Sequence, residues 1–262
     1  MAVVPLQHRF DGPQDGPVVL LLPPFGAKWP VWEPQIPELT RHCRVLRINH
    51  RGHGATPAGD QPMVTVGDLG TDIEALLDVH GIGRVSVVGA GFGAMPGTWL
   101  AVHRPDRVQR IAYLAGAARV PCPDTLLEIA ERARTGGMGR VRGDVLLPWF
   151  TPGFTRERPD VVRCVAEGLE GVDPAGFAAC CEAAAVTDQF PDIARVRAPA
   201  LVVSGAHDPL LPPGHGRRLA AGIPGARFEL LRGAAHLAGV ERSDRVNELV
   251  MEHLAGVPAG PG

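Results

Sequence analysis

Asp208 and His236 are the two residues of this chain whose types and setting point most directly to proton chemistry. The run Ala200-Leu201-Val202-Val203-Ser204-Gly205-Ala206-His207-Asp208 reads as a buried strand ending in a loop carboxylate. Gly233-Ala234-Ala235-His236 follows a second short strand, Phe228-Glu229-Leu230-Leu231. A carboxylate that accepts one imidazole proton fixes the tautomer and leaves the other ring nitrogen as a base, and a base so placed contributes roughly 10²- to 10⁴-fold in rate. A lone Asp or His is more often a loop cap or a surface group, whereas two at strand ends read better as a working pair. Upstream, Gly89-Ala90-Gly91-Phe92-Gly93 follows the apolar run Val85-Ser86-Val87-Val88 and precedes an Ala-rich helical stretch. A strand–turn–helix of the G-x-S-x-G kind lifts a nucleophilic serine at its centre, but here the centre is Gly91, which has no side chain to attack with. Glycine-rich turns of this sort also serve dinucleotide loops and plain tight turns. The downstream order Asp208, His236 therefore carries the reading.

The elements that must hold these residues are legible as alternating apolar runs and helical patterns. Strands are predicted at Val18–Leu22, Val45–Ile48, Val85–Val88, Ile111–Leu114, Leu201–Ser204 and Phe228–Leu231, and helices at stretches such as Val66–His80 and Asp244–Leu254. Alternation of β and α implies a mainly parallel sheet flanked by helices on both faces. Residues 121–192 interrupt it with helix-rich sequence and Pro/Gly punctuation, as expected of a helical lid over the carboxyl ends of the strands. The chain is thus expected to divide into a core, 1–120 and 193–262, and a cap, 121–192. There is no internal repeat, and residues 256–262 read as a frayed tail.

Further segments narrow the picture. Pro23-Pro24-Phe25-Gly26 and Trp32-Glu33-Pro34-Gln35 follow the first predicted strand, and Arg51-Gly52-His53-Gly54-Ala55-Thr56 follows the second. Trp99 to Val108 trails the glycine turn, with Trp149-Phe150-Thr151-Pro152-Gly153-Phe154 and Ala178-Ala179-Cys180-Cys181 inside the interruption. On these segments the chain resembles the 3-oxoadipate enol-lactonase branch of the α/β hydrolases over nearly its whole length. The resemblance implies an α/β-hydrolase fold, no cofactor, and a small-molecule substrate. It implies an oxyanion hole made by the backbone N–H groups of Phe25 and Phe92, and Trp149 as a lid contact with substrate. Three departures stand out: Gly91 at the nucleophile position, Pro23-Pro24 before the oxyanion amide, and Asn49-His50 where an Asp-x pair is common.

Composition is that of a globular enzyme: 262 residues, 45% hydrophobic, with a formal net charge of -2. No apolar run is long enough to span a bilayer, and the amino terminus lacks a basic segment leading into an apolar one, so a cytoplasmic protein without membrane partners is expected. Near-neutral charge without a basic block argues against nucleic acid. The five cysteines, Cys43, Cys122, Cys164, Cys180 and Cys181, have neither metal-cluster nor disulfide spacing and are expected to be reduced and mostly buried. Cys122 lacks a neighbouring base and is not a replacement nucleophile. Lys28 is the only lysine among the 26 basic residues. Coding bias explains that scarcity best, and pairing of Lys28 with an anionic substrate is a secondary reading. A homodimer is compatible with the sequence.

An intact base and oxyanion hole beside a missing nucleophile lead to the expectation of a lyase. His236 would take a proton beside a carbonyl in the space opened at Gly91, and a carboxylate such as acetate would leave an ester- or lactone-bearing metabolite such as a polyketide tetronate. Two alternatives stand beside it. One is an enol-lactone or ester hydrolase, acting through a base-activated water or inactivated by an engineered serine-to-glycine change. The other is a non-catalytic binding protein, since glycine relieves the strain of this turn once chemistry is lost.

Overall fold

Near-continuous apolar runs build a seven-stranded sheet in the computed structural model, which describes residues 3–61 and 63–256. Its strands are β1 (His8–Asp11), β2 (Val18–Leu22), β3 (Arg44–Ile48), β4 (Val85–Ala90), β5 (Val108–Leu114), β6 (Ala200–Gly205) and β7 (Arg227–Leu231). They lie in the order β1-β3-β2-β4-β5-β6-β7, all pairings being parallel except β1 with β3. The α/β-hydrolase fold expected from the sequence is the fold observed. Only β1 escaped prediction. Its His8-Arg9-Phe10-Asp11 sequence has no apolar alternation because it sits on an edge, where Phe10 is only partly buried.

Helices cover both faces: α1 (Val66–Val79), α2 (Met95–His103), α3 (Pro123–Gly136), α4 (Pro159–Glu170), α5 (Pro174–Ala185), α6 (Pro213–Gly222) and α7 (Ser243–Ala255). On β2, Leu20 and Leu22 join the core with Ile73, Leu77 and Leu219 of α1 and α6, while Val19 and Leu21 join Leu249 and Val250 of α7 on the opposite face. Burial on both faces is why the strands read as unbroken apolar runs rather than alternating ones. Helix α1 begins with a capping box in which Thr65 and Asp68 exchange side-chain-to-backbone hydrogen bonds of 3.1 and 2.8 Å. Gly256 closes α7 in the left-handed conformation, and the remainder of the expected frayed tail, 257–262, lies outside the described residues.

Between β5 and β6 the chain leaves the sheet and forms α3, α4 and α5, with α3 and α4 joined by a run of short helical segments from Met138 to Glu157. An isolated antiparallel bridge, Arg119 to Asp188, ties the two ends of this insertion together. Trp149, Leu169, Phe177, Cys180 and Cys181 form an apolar cluster of its own, and Phe25 and Leu237 enter that cluster from the loops beneath. The insertion therefore packs directly on the carboxyl ends of β2 and β7. Closest approach occurs where α5 meets the loop after β3: a side chain on Gly176 would collide with the backbone of Gly52, and the N–H of Asp173 donates to the Gly52 carbonyl at 2.9 Å.

Candidate active site

Asp208 follows β6 and His236 follows β7, and the backbone brings the two loops together before any side chain does so. The N–H of Ala206 donates to Leu231 and that of His207 to Ala234, each at 2.9 Å, while a Cβ on Gly205 would overlap the Ala235 carbonyl. One oxygen of Asp208 accepts the N–H groups of Leu210 and Leu211, both at 2.9 Å, and the other faces His236 Nδ1 at 2.8 Å. Both residues are only 3% exposed. A carboxylate held in this way accepts the hydrogen bond of Nδ1–H and fixes the tautomer that leaves Nε2 as the basic atom.

His236 Nε2 is directed at Gly91. The glycine has φ of +54°, a left-handed conformation that disfavours side chains, and a Cβ there would lie 2.8 Å from Nε2 and 3.2 Å from Pro24 Cβ. The sequence suggested open room beneath the base; instead the imidazole itself reaches into the space a side chain would fill. His236 also borders, with Trp32, Gln35 and Ala90, a small cavity of about 10 Å³, room for a single water.

Two histidines peg the loop after β2 against the glycine turn. His50 Nε2–H donates to the Pro23 carbonyl at 3.0 Å; His53 accepts the Gly26 N–H at 2.8 Å and donates from Nδ1 to Arg51 O at 2.7 Å. Burial pushes His50 down to about 3 and His53 to about 4, so both are neutral at pH 7 and serve as hydrogen-bonding struts rather than as acids or bases. Gly93 permits the contact, since a Cβ there would fall on the Pro23 carbonyl. The backbone around Phe25 is thereby set beside the turn that carries Phe92. Neither His50 nor His53 was singled out from sequence as a support for that loop, because a histidine's role depends on the partners that tertiary structure supplies.

The sequence profile described as the alpha/beta hydrolase fold matches residues 17–158. The chain is 31% identical to 3-oxoadipate enol-lactonase 2 of Acinetobacter baylyi, over 94% of its own length and 92% of that protein. The chain belongs to the α/β-hydrolase fold family. A putative carbamate hydrolase, RutD, of a Caulobacter species is 28% identical over 97% of both chains. The crystal structure of the enol-lactonase from Burkholderia xenovorans superposes with a TM-score of 0.93 at 35% identity, covering 96% of this chain and 97% of that one.

In this α/β hydrolase the strand ends gather Gly91, Asp208, His236 and the Phe25 loop. Trp149 is 2% exposed within the apolar cluster of the insertion, and its carbonyl accepts the N–H of Leu237 at 2.9 Å. Lys28 is half-buried beside a cavity of about 250 Å³, which it lines with Val31, Cys164 and Glu167. Its Nζ lies 3.0 Å from where a Cβ on Gly171 would sit, next to the carboxyl end of α4. Cys122 is exposed at the start of α3 and Cys164 is exposed on α4, whereas Cys43, Cys180 and Cys181 are buried, and burial pushes the Cys180 thiol up to about 12. Among the described residues no cluster of His, Cys, Asp or Glu could hold a metal, and no helix is long and apolar enough to cross a membrane.

Proposed function

We propose that this protein hydrolyses an ester or lactone with a good leaving group, of which an enol-lactone is the leading case. His236 acts as the general base and Asp208 holds its tautomer. The observation that carries the reading is the 2.8 Å Asp208–His236 hydrogen bond with Nε2 turned to the Gly91 position. A water beside Nε2 gives up its proton to the imidazole as its oxygen bonds to the carbonyl carbon. The carbon–oxygen bond to the leaving group then breaks, and the proton passes from His236 to the departing enolate. The backbone N–H groups of Phe25 and Phe92 steady the oxyanion, and the β5–β6 insertion serves as the lid. Lys28 receives an anionic end of the substrate.

Loss of a serine nucleophile costs a dedicated protease about 2 × 10⁶ in kcat, with roughly 10³- to 10⁴-fold over water surviving. An enol-lactone tolerates that loss better than an amide does because its leaving group is a stabilised enolate. The relatives named above are an enol-lactonase and a putative carbamate hydrolase, so hydrolysis has support that the expected lyase reaction does not. Elimination is kept as the second reading on one observation, the absence of any side chain at Gly91. In that case the proton removed by His236 comes from carbon and a carboxylate departs to leave an alkene.

The deciding experiment is product mass spectrometry in ¹⁸O-labelled water, with enol-lactone and acetylated substrates offered to the wild-type protein and His236→Ala. Label in the product acid, lost in His236→Ala, supports hydrolysis. An unlabelled alkene with released acid moves the assignment to elimination, and the absence of turnover on either class removes the catalytic reading.

A further inference from the structure

The backbone on one side of His236 is held by the β5–β6 insertion directly, and on the other side through Glu241. The N–H of Leu237 donates to the Trp149 carbonyl at 2.9 Å, and the N–H of Ala235 donates to Glu241 Oε2. The other oxygen of Glu241 accepts two groups from one insertion residue, the N–H of Thr151 at 2.7 Å and its hydroxyl at 2.8 Å. Thr151 in turn caps the helical turn Pro152–Glu157, its hydroxyl accepting the Phe154 N–H at 3.2 Å. We propose that Glu241 is a positioning residue that latches the insertion to the His236 loop, so that His236 is set for proton transfer only while the insertion is closed.

Chemistry favours a carboxylate at this point. Three donors, the N–H of Ala235 and both donors of Thr151, converge on its two oxygens. Glutamine has the same length but an acceptor on one arm only; its amide NH₂ would face a donor on one side or the other. Beneath the loop, the contacts run between the segment after β6 and the loop itself, His207 to Ala234 and Ala206 to Leu231, and involve no residue of the insertion. The constraint on the upper side comes from Glu241 and Trp149. A cleft of about 540 Å³, lined by Thr151, Glu241, Phe150 and Phe154 among others, runs beside the latch.

The inference rests on the reading of His236 as the base, but its test needs no substrate, so a failed hydrolysis assay leaves it untouched. In the full chain, backbone hydrogen exchange would be measured at 149–154 and at 234–237 for the wild type, Glu241→Gln, Thr151→Ala and Thr151→Ser. The His236 Nδ1–H signal, identified by its loss in His236→Ala, would be followed by NMR in the same samples. Glu241→Gln is expected to speed exchange at least tenfold in both segments and to broaden or shift the His236 signal. Thr151→Ala, altered only on the insertion side, is expected to do the same at 234–237, and Thr151→Ser, which keeps the hydroxyl, to match the wild type. Faster exchange confined to 149–154 with an unchanged His236 signal would reduce Glu241 to an anchor of the insertion and overturn the proposal, as would no change in either segment.

Discussion

At Gly91 a single missing side chain governs both chemistry and geometry. The left-handed backbone, φ +54°, and the 2.8 Å from its Cβ position to His236 Nε2 mean that a serine there would have to push the imidazole back by a few tenths of an ångström. Such a displacement is small, because the ring is the far end of a side chain. A Gly91→Ser variant is therefore expected to fold, with a cost of about 1–2 kcal/mol from the strained backbone. A stability loss of 1 kcal/mol lowers Tm by about 2–4 °C in a protein of this size. It is also expected to gain what the parent lacks, a stoichiometric burst with p-nitrophenyl acetate and an acetylated protein mass, both lost in the Gly91→Ser/His236→Ala double variant. A burst absent from Gly91→Ser would show that His236 does not reach the turn as the structure places it. On the natural reaction, His236→Ala is expected to lose roughly 10²- to 10⁴-fold in kcat, the usual contribution of a positioned base. Asp208→Asn should follow it, since an amide cannot hold the Nδ1–H tautomer by the same charge-assisted bond.

The elements meet where their backbones touch, and two glycines mark these points. Gly93, in the turn after β4, lies against the Pro23 carbonyl after β2, and Gly176 of α5 lies against Gly52 after β3. Gly93→Ala is expected to push the Phe25 loop away from the turn, reducing kcat more than it raises KM, with a stability cost of about 1–3 kcal/mol from overpacking. Gly176→Ala should instead loosen the insertion, seen as faster proteolysis between 121 and 192 with the sheet intact; equal loosening of α1 and β3 would show that the insertion is not a separable element. Sequence reading found six of the seven strands among the described residues and the Asp208–His236 pair because unbroken apolar runs and loop residues at strand ends are local signals. It missed β1, whose only mark is a place on the sheet edge. It also missed Glu241, because nothing local distinguishes a helix-terminal glutamate that collects three donors from one that points to water. Its expectation of room under the base failed because the removal of a side chain says nothing about which neighbour moves in.

Buried histidines set how the chain as a whole responds to acid. His50, His53 and His253 are pushed from an ordinary value of 6.5 down to about 3, 4 and 4, in each case chiefly by burial. Two of them strut the Phe25 loop, and His253 lies in α7, near Arg110, with its Nε2 buried and without a partner. A histidine whose folded pKa is depressed binds its proton more readily in the unfolded chain. Its neutral form therefore supports the fold fully above about pH 6.5, and that support is lost as pH falls through the interval down to 3 or 4. Within that window each such group steepens the fall in stability by up to about 1.4 kcal/mol per pH unit. Urea unfolding between pH 7 and 4.5 should accordingly show stability dropping well before the carboxylates titrate. His253→Leu, remote from the candidate site, should remove about one proton from the pH slope while leaving the His236 NMR signal unchanged. A slope identical to that of the parent would mean that His253 is solvated in the folded protein, leaving the acid response to the two histidines beneath the Phe25 loop. Acid would then disable the site and unfold the chain through the same pair of groups.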